Sequence, residues 1–464
     1  MRKKILGLAP FALAAFSLPA YGGKPANIVF ICLDDAGYGD FSYNGAYGYL
    51  TPNIDRLASE GLRMTHYLAP QPVSGASRAG MMTGCYPNRF GYRGAPGPGS
   101  KIVFPERETT IGEMLQSVGY HTGIVGKWHL GDTPERLPLR NGFDEFYGLP
   151  YSNDMSPKVY PTKDFPPLPL YRGEEVEEYE PDMNTLTSRY TGYALDFIKR
   201  NRHSPFFLYF AHSMPHIPLG VSDRFRGKSA QGLYGDVMME IDWSVGEILS
   251  ALRKYGLDER TLVIVTSDNG PWLNYGNHAG SAGGLREGKS TIFEGGQRTP
   301  CIMYWKGRIT AGSTCNALVS GLDFFPTFAE LAGARLPSTG VDGVSIIPLI
   351  DAVPGAAPRQ HFAYYFRGNE LEAVTDGNFK LVFPHRTRTY VFNRPGNDGE
   401  AGKVKYIMFD HEALFDLRND PGERHEVQDL YPEAVERLRA IAETYRSDLG
   451  DDITGREGSG RRLN

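Results

Sequence analysis

Five short, unbroken apolar runs constrain this chain more than any other feature: Ile28–Leu33, His121–Val125, Phe206–Phe210, Leu262–Thr266 and Cys301–Trp305. Each is rich in β-branched or aromatic residues, and none alternates polar with apolar, which is the pattern of a strand buried on both faces. Helical spacing lies between them. Pro52 follows Thr51, read as a cap, and opens an Ile54/Leu57/Ala58 stripe. Thr110 caps a helix that stops at Gly119, and Leu186, Tyr190, Ala194 and Phe197 mark another that runs to about Arg200. A longer one spans about Tyr234 to Tyr255. Strands alternating with helices predict the α/β class, a large and mostly parallel sheet sandwiched by helices.

The character changes twice along the chain. Between Met155 and Asn184 it turns Pro-rich and acidic, read as a surface insertion that could wall a cleft. After Ile350, short strand-like pieces (His361–Phe366, Phe379–Phe383) precede a helix from Pro432 to Leu449. The division predicted is a main domain over 23–350 and a smaller C-terminal α+β domain over 351–464, whose polar tail from Gly450 is read as frayed.

The first 22 residues are different material. Arg2, Lys3 and Lys4 precede an apolar run from Ile5 to Leu18, followed by small residues at Ala20 and Gly22. That is the layout of a Sec-type signal peptide over 1–22 and predicts a periplasmic or secreted protein. Its loss removes three cations and no acid, taking the net charge from −5 to −8. An acidic mature chain offers no footprint for nucleic acid and none for stable membrane association. An anionic substrate must then be held by local cations. With 41% hydrophobic and 22% charged residues the composition excludes collagen-like, coiled-coil and disordered classes. Export permits disulfides among Cys32, Cys85, Cys301 and Cys315, but spacing alone leaves their pairing open.

In open α/β sheets, ligands bind beyond the carboxyl ends of the strands. Here those ends carry Asp34–Asp35, then Gly126-Lys127-Trp128-His129, then His212-Ser213-Met214-Pro215-His216, then Ser267-Asp268-Asn269-Gly270. Asp34, Asp35, Asp268 and Asn269 form an all-oxygen set suited to a hard cation such as Ca²⁺ or Mg²⁺, not zinc.

The segment Ser74-Gly75-Ala76-Ser77-Arg78, continuing to Met82-Thr83-Gly84, resembles the signature of the sulfatase family, in which a Cys or Ser is oxidised to formylglycine. The resemblance extends through Gly126-Lys127-Trp128-His129, Pro215-His216, Ser267-Asp268-Asn269-Gly270, Gly288-Lys289 with Glu294 to Pro300, and Leu414 to Glu423. Many members have Cys at the first position and Pro two residues on. Ser74 and Ala76 look like the serine-type bacterial subgroup, served before export by a radical-SAM maturase.

The resemblance implies an alkaline-phosphatase-like fold and hydrolysis of sulfate monoesters through formylglycine at Ser74 and Ca²⁺, with Mg²⁺ second. By position it implies metal ligation by Asp34, Asp35, Asp268, Asn269 and residue 74, with Arg78 reaching back one helical turn to hold the hydrated aldehyde. Lys127 and Lys289 would contact sulfate oxygens, His129 would act as base, and His216 as leaving-group acid. Ser152 matches a position that touches sulfate. A plain Ser can accept sulfate but cannot expel it without attack by water, and the second hydroxyl of a hydrated aldehyde removes that difficulty. His212 is read as structural, and Arg298 with Glu294 as an internal ion pair. The substrate expected is a sulfated polysaccharide or oligosaccharide. A phosphonate or phosphodiester hydrolase of the same superfamily and an inactive glycan-binding relative are the alternatives. Specificity is expected to lie in the Pro-rich insertion, the Tyr86–Ser100 loop and the C-terminal domain.

Overall fold

The computed structural model describes residues 25–463, so the predicted signal peptide lies outside the described residues. Ten strands build the main sheet: β1 (Asn27–Leu33), β2 (Leu62–Met64), β3 (His121–Gly126), β4 (Glu145–Gly148), β5 (Pro169–Arg172), β6 (Glu175–Tyr179), β7 (Phe206–Ala211), β8 (Thr261–Ser267), β9 (Cys301–Tyr304) and β10 (Ser313–Cys315). Their order across the sheet is β10-β2-β9-β8-β1-β7-β3-β4-β5-β6. The central strands β8, β1, β7, β3 and β4 are mutually parallel, and antiparallel pairs through β9 and β5 flank them. All five predicted runs are strands.

Burial on both faces explains why those runs are unbroken. In β1, Ile28, Phe30 and Cys32 enter one apolar core while Val29, Ile31 and Leu33 enter the other. Each large apolar side chain buried this way favours folding by about 1.5–3 kcal/mol, and the one polar residue of β1, Asn27, is buried only with a partner, Thr261 Oγ1 at 3.2 Å. The α-helices of more than one turn are α1 (Pro52–Glu60), α2 (Ser74–Thr83), α3 (Ile111–Gln116), α4 (Met183–Asn201), α5 (Leu233–Lys254), α6 (Phe324–Ala332) and α7 (Pro432–Leu449). Thr110 closes a full capping box with Glu113. Thr51 does not cap α1: its hydroxyl accepts from Ser42 N at 2.9 Å and lies 3.1 Å from Asp55 Oδ1.

Part of the acidic insertion is itself sheet. Glu175–Tyr179 forms the outermost strand β6, where charged side chains guard an open edge. The C-terminal region holds an antiparallel sheet of β11 (Phe362–Phe366), β12 (Glu370–Thr375), β13 (Phe379–Val382) and β16 (Ala413–Asp416), with α7 packed against it. A separate ribbon pairs β14 (His385–Thr389) with β15 (Lys405–Phe409). Its core is shared: Leu68, Tyr86, Ile292, Phe293 and Leu318 pack with Phe362, Tyr364 and Leu414.

The tail after Gly450 is tied down, contrary to the frayed end expected from its polarity. Gly450–Asp451 pairs with Arg456–Glu457, and the Arg462 guanidinium grips both oxygens of Glu108 at 2.9 and 2.7 Å. A polar tail without apolar anchors is held here by charge. The four cysteines are free thiols. Among the described residues no helix is long and apolar enough to cross a membrane.

Candidate active site

Parallel strands β1, β3, β7 and β8 all end on one edge of the sheet, and the polar groups predicted from their ends meet there. Gly126 turns the chain out of β3 at φ 107°, and a Cβ on it would lie 1.8 Å from Ala211 O. Only glycine lets Lys127 leave the sheet this close to β7. Asp35, His129, Glu287 and Ser290 all take left-handed backbone conformations around this edge, a strain for non-glycine residues that collects at functional sites.

Ser74 opens α2, a helix buried on every side, so the positive end of the helix faces the cluster. Its hydroxyl lies 3.0 Å from Asp34 Oδ1 and 3.2 Å from Asn269 Oδ1. Lys127 Nζ donates to Asp34 Oδ2 at 2.5 Å and to Ser152 Oγ at 3.2 Å. Lys289 Nζ straddles the Asp35 carboxylate at 2.7 and 2.8 Å. His216 Nδ1 is held by Ile217 O at 2.5 Å, and its Nε2 is 3.6 Å from Asp35 Oδ2. Asp35 N donates to Asp268 Oδ1 at 3.2 Å, and Asn269 Nδ2 donates to Asp35 Oδ1 at 2.7 Å.

Arg78 projects one turn beyond Ser74 but is engaged elsewhere. Its Nε donates to Asp268 Oδ2 at 2.9 Å and Nη1 donates to Lys127 O, while the buried Nη2, 2.9 Å from Asp268 Oδ2 and 3.7 Å from Asp34 Oδ1, makes no hydrogen bond. The guanidinium therefore sets carboxylates and the Lys127 backbone, and the Ser74 hydroxyl bonds are made to Asp34 and Asn269. His129 Nε2 pairs with Pro96 O at 3.2 Å while its buried Nδ1 has no partner. The His212 ring packs tilted against Phe210, centroids 4.1 Å apart, in keeping with a structural part.

Three carboxylates, Asp34, Asp35 and Asp268, thus face three cations, Arg78, Lys127 and Lys289, all buried. Burial would raise the Asp34 carboxyl, but the charges of Lys127, His216, Arg78 and Lys289 hold it well below the usual range. Asp268 is pushed up to about 6, first by burial and then by the Asp34 charge. Burial, aided by Lys127 and Arg78, drives His129 well down, so its imidazole is neutral and able to accept a proton.

A second buried network braces the Lys289 segment. Arg298 Nε and Tyr364 Oη contact the Glu294 carboxylate at 2.6 and 2.7 Å. Lys380 Nζ, from β13, reaches Glu294 at 3.1 Å, Glu423 at 2.9 Å and Ile292 O at 2.7 Å. Glu287 accepts from Thr389 and Tyr390 of the ribbon, and Tyr390 Oη donates to Lys289 O at 2.7 Å. Lys380→Met removes the shared cation and leaves Glu423 buried and unpaired. The expected cost is about 3–5 kcal/mol, read as a lower denaturation midpoint with loss of turnover in parallel.

The sulfatase family model matches residues 26–334. The chain belongs to the sulfatase family. Two further models match this sulfatase, "N-sulphoglucosamine sulphohydrolase, C-terminal" over 287–392 and "C-terminal region of aryl-sulfatase" over 358–456. It is 39% identical to bovine (Bos taurus) arylsulfatase A over 90% of this chain and 86% of that one. It is 38% identical to N-acetylgalactosamine-6-sulfatase of Mus musculus over 94% and 89% respectively. Its fold superposes on the crystal structure of PsFucS1 sulfatase from Pseudoalteromonas sp. with a TM-score of 0.80, at 29% identity and 91% coverage of both chains.

Sulfatases typically use formylglycine and Ca²⁺, and the donor set of this sulfatase fits both. Asp34, Asp35 and His216 present ligand atoms within 4.8 Å of one another. The oxygens of Asp34 and Asn269 that face Ser74 extend the cluster toward a hard cation's preference. One residue that motif reading passed over is Trp272, four residues after Asp268. Its ring lies 4.4 Å from Lys289 Nζ and 5.5 Å from the His216 ring, forming an aromatic wall of the site. The Asp-Asn-Gly motif ends just before it, and only the β8 strand end hinted at its position.

Proposed function

We propose that this sulfatase hydrolyses a sulfate monoester carried by a carbohydrate, with Ser74, oxidised to formylglycine, as the residue that accepts the sulfate. The observation that carries this reading is the Ser74 hydroxyl between Asp34 and Asn269, flanked by Lys127 and Lys289 on the Asp34–Asp35 pair. The aldehyde form would supply a hydrate whose two hydroxyls separate sulfate capture from sulfate release, and Asp34, Asp35, Asp268 and Asn269 would hold a calcium ion that supplies positive charge.

The remaining steps belong to the side chains. Lys127 and Lys289 hold sulfate oxygens as point charges, and Ser152 Oγ, bonded to Lys127, adds a donor on the same side. As the sulfur–oxygen bond to the sugar breaks, His216 Nε2 gives its proton to the departing alcohol. His129, kept neutral, takes the proton whose loss from residue 74 lets sulfate leave. Arg78 fixes Asp268 and the Lys127 backbone.

The serine-type signature supports maturation by a radical-SAM enzyme, and the basic and apolar start of the chain supports export to the periplasm or beyond. The relative named for a sulfated N-acetylgalactosamine supports a sugar substrate. The test is coexpression with the maturase, then sulfate and phosphate release from matched aryl esters and from sulfated sugars. Active protein should show residue 74 lighter by two hydrogen atoms. Chelation should lower both turnover and melting temperature, and Ca²⁺ should restore them. Faster phosphate than sulfate release, or full turnover with an unmodified Ser74, overturns the reading.

A further inference from the structure

Beside Ser74 the surface opens into two hollows, each of about 420 Å³. One is bounded by Val73, which precedes Ser74, and by Arg93 and Pro96. The other is bounded by Ser290, which follows Lys289, and by Arg386, Arg388 and Tyr406. Phe366 and Arg367 line both, so the two hollows adjoin at that pair, a groove in two parts between the start of α2 and β14.

Four arginines converge on this groove from three separate segments: the loop after α2, the β11–β12 turn, and β14. Arg386 and Arg388 are two residues apart on one strand and so share a face. The guanidiniums of Arg386, Arg367 and Arg388 lie 4.7, 5.6 and 5.9 Å from the Tyr406 ring. Arg367 and the following Gly368 are both held at positive φ, 47° and 99°, at the turn between β11 and β12.

Among the described residues none of the four is ion-paired with a carboxylate, although Arg89, Arg359 and Arg439 elsewhere in the chain each grip one. The buried Arg388 Nε has no partner at all. A hydrogen bond from Arg388 and the charges of Arg388, Arg367 and Arg386 lower the Tyr406 hydroxyl against the effect of burial. Glu370 and Glu372 lie close enough to feel the Arg367 charge without pairing with it, so the gathered guanidiniums still repel, and in a chain of net charge −5 they are not explained by a general basic field. Guanidinium forks match the oxygens of sulfate and carboxylate in pairs.

We propose that the Arg93–Arg367–Arg386–Arg388 groove is a second anion subsite, which binds a sulfate or carboxylate on a sugar neighbouring the one that is desulfated. The preferred substrate is then a polyanionic oligosaccharide, and a singly sulfated sugar is a poor one. The inference rests on Ser74 as the reacting residue.

The test uses matured enzyme and the double variant Arg367→Ala/Arg386→Ala, neither residue of which touches the Asp34–Lys127–Lys289 cluster. Four substrates are compared: 4-nitrophenyl sulfate, a monosulfated neutral disaccharide, its disulfated counterpart, and a counterpart with a uronate neighbour. Wild type should favour one or both dianionic disaccharides by about 10-fold or more in kcat/KM, with the advantage shrinking as salt rises. The variant should lose that advantage through KM and keep aryl sulfate hydrolysis within about 2-fold. Loss confined to the disulfate identifies sulfate as the ligand, and loss confined to the uronate identifies carboxylate. Equal loss on all four substrates, or no loss on the dianionic pair, overturns the proposal. Calorimetric binding of both dianionic disaccharides to Ser74→Ala protein, with and without the two arginines, separates this from the reading of Ser74. Unchanged binding without the arginines would sink the subsite whatever the enzyme hydrolyses.

Discussion

Ser74→Ala should cut kcat/KM for every sulfate ester by about 10,000-fold or more, because no group remains on which sulfate can be transferred. The fold should survive. Ser74 is 1% exposed, and its hydroxyl makes two side-chain contacts, to Asp34 and Asn269. Losing them should cost about 1–2 kcal/mol, a fall of a few degrees in melting temperature. Asp34 keeps Lys127 at 2.5 Å, so it is not left without a counter-charge. Sulfate release followed by ion chromatography, together with circular dichroism, checks both halves. Turnover near wild type would remove Ser74 from the chemistry, and a collapsed spectrum would make it a structural residue.

Arg78→Met should be the most damaging single substitution for stability and activity together. The guanidinium is fully buried and serves Asp268, Asp34, the Lys127 carbonyl and Tyr209 at once. Its removal strands the Asp268 carboxylate, at an expected cost of about 3–5 kcal/mol. Turnover should fall by about 100-fold or more, since Lys127 loses the contact that fixes its backbone. Arg78→Lys keeps the charge but cannot donate to Asp268 and the Lys127 carbonyl at once, so it should recover part of the stability and little of the turnover. Adding Asp268→Asn to Arg78→Met should regain stability with no gain in activity. Urea denaturation of the single and double variants measures the coupling, and additive effects would show that the two side chains do not act as a pair.

The central sheet was legible because it is buried on both sides. A strand such as Ile28–Leu33 must satisfy two cores, so its apolar run has no gap. The site was legible for a related reason: parallel strands end on one edge, so Asp34, Lys127 and Asp268 could be placed together without contacts being known. Three things were not readable. β14 carries two arginines and no apolar residue, and β15 leaves Tyr406, Ile407 and Met408 exposed, so neither follows the pattern of a strand buried on both faces. The tail is held by Arg462 on Glu108, a pairing across more than 350 positions that local pattern cannot anticipate. Arg78 was placed on the correct helical turn, but its partners come from β1, β3, β7 and β8, and only the fold brings them within reach.

The Lys380 bridge limits how this enzyme could be re-engineered. Its ammonium comes from β13, while its two acids come from the Lys289 segment and from the stretch after β16. A C-terminal sheet grafted from a donor lacking Lys at position 380 would remove the cation that Glu294 and Glu423 share, leaving Glu294 with Arg298 alone and any carboxylate at 423 without a counter-charge. Specificity swaps in this scaffold should therefore carry residues 287–299 along with the sheet. A chimera joined anywhere between them should express poorly even where its surface loops are compatible.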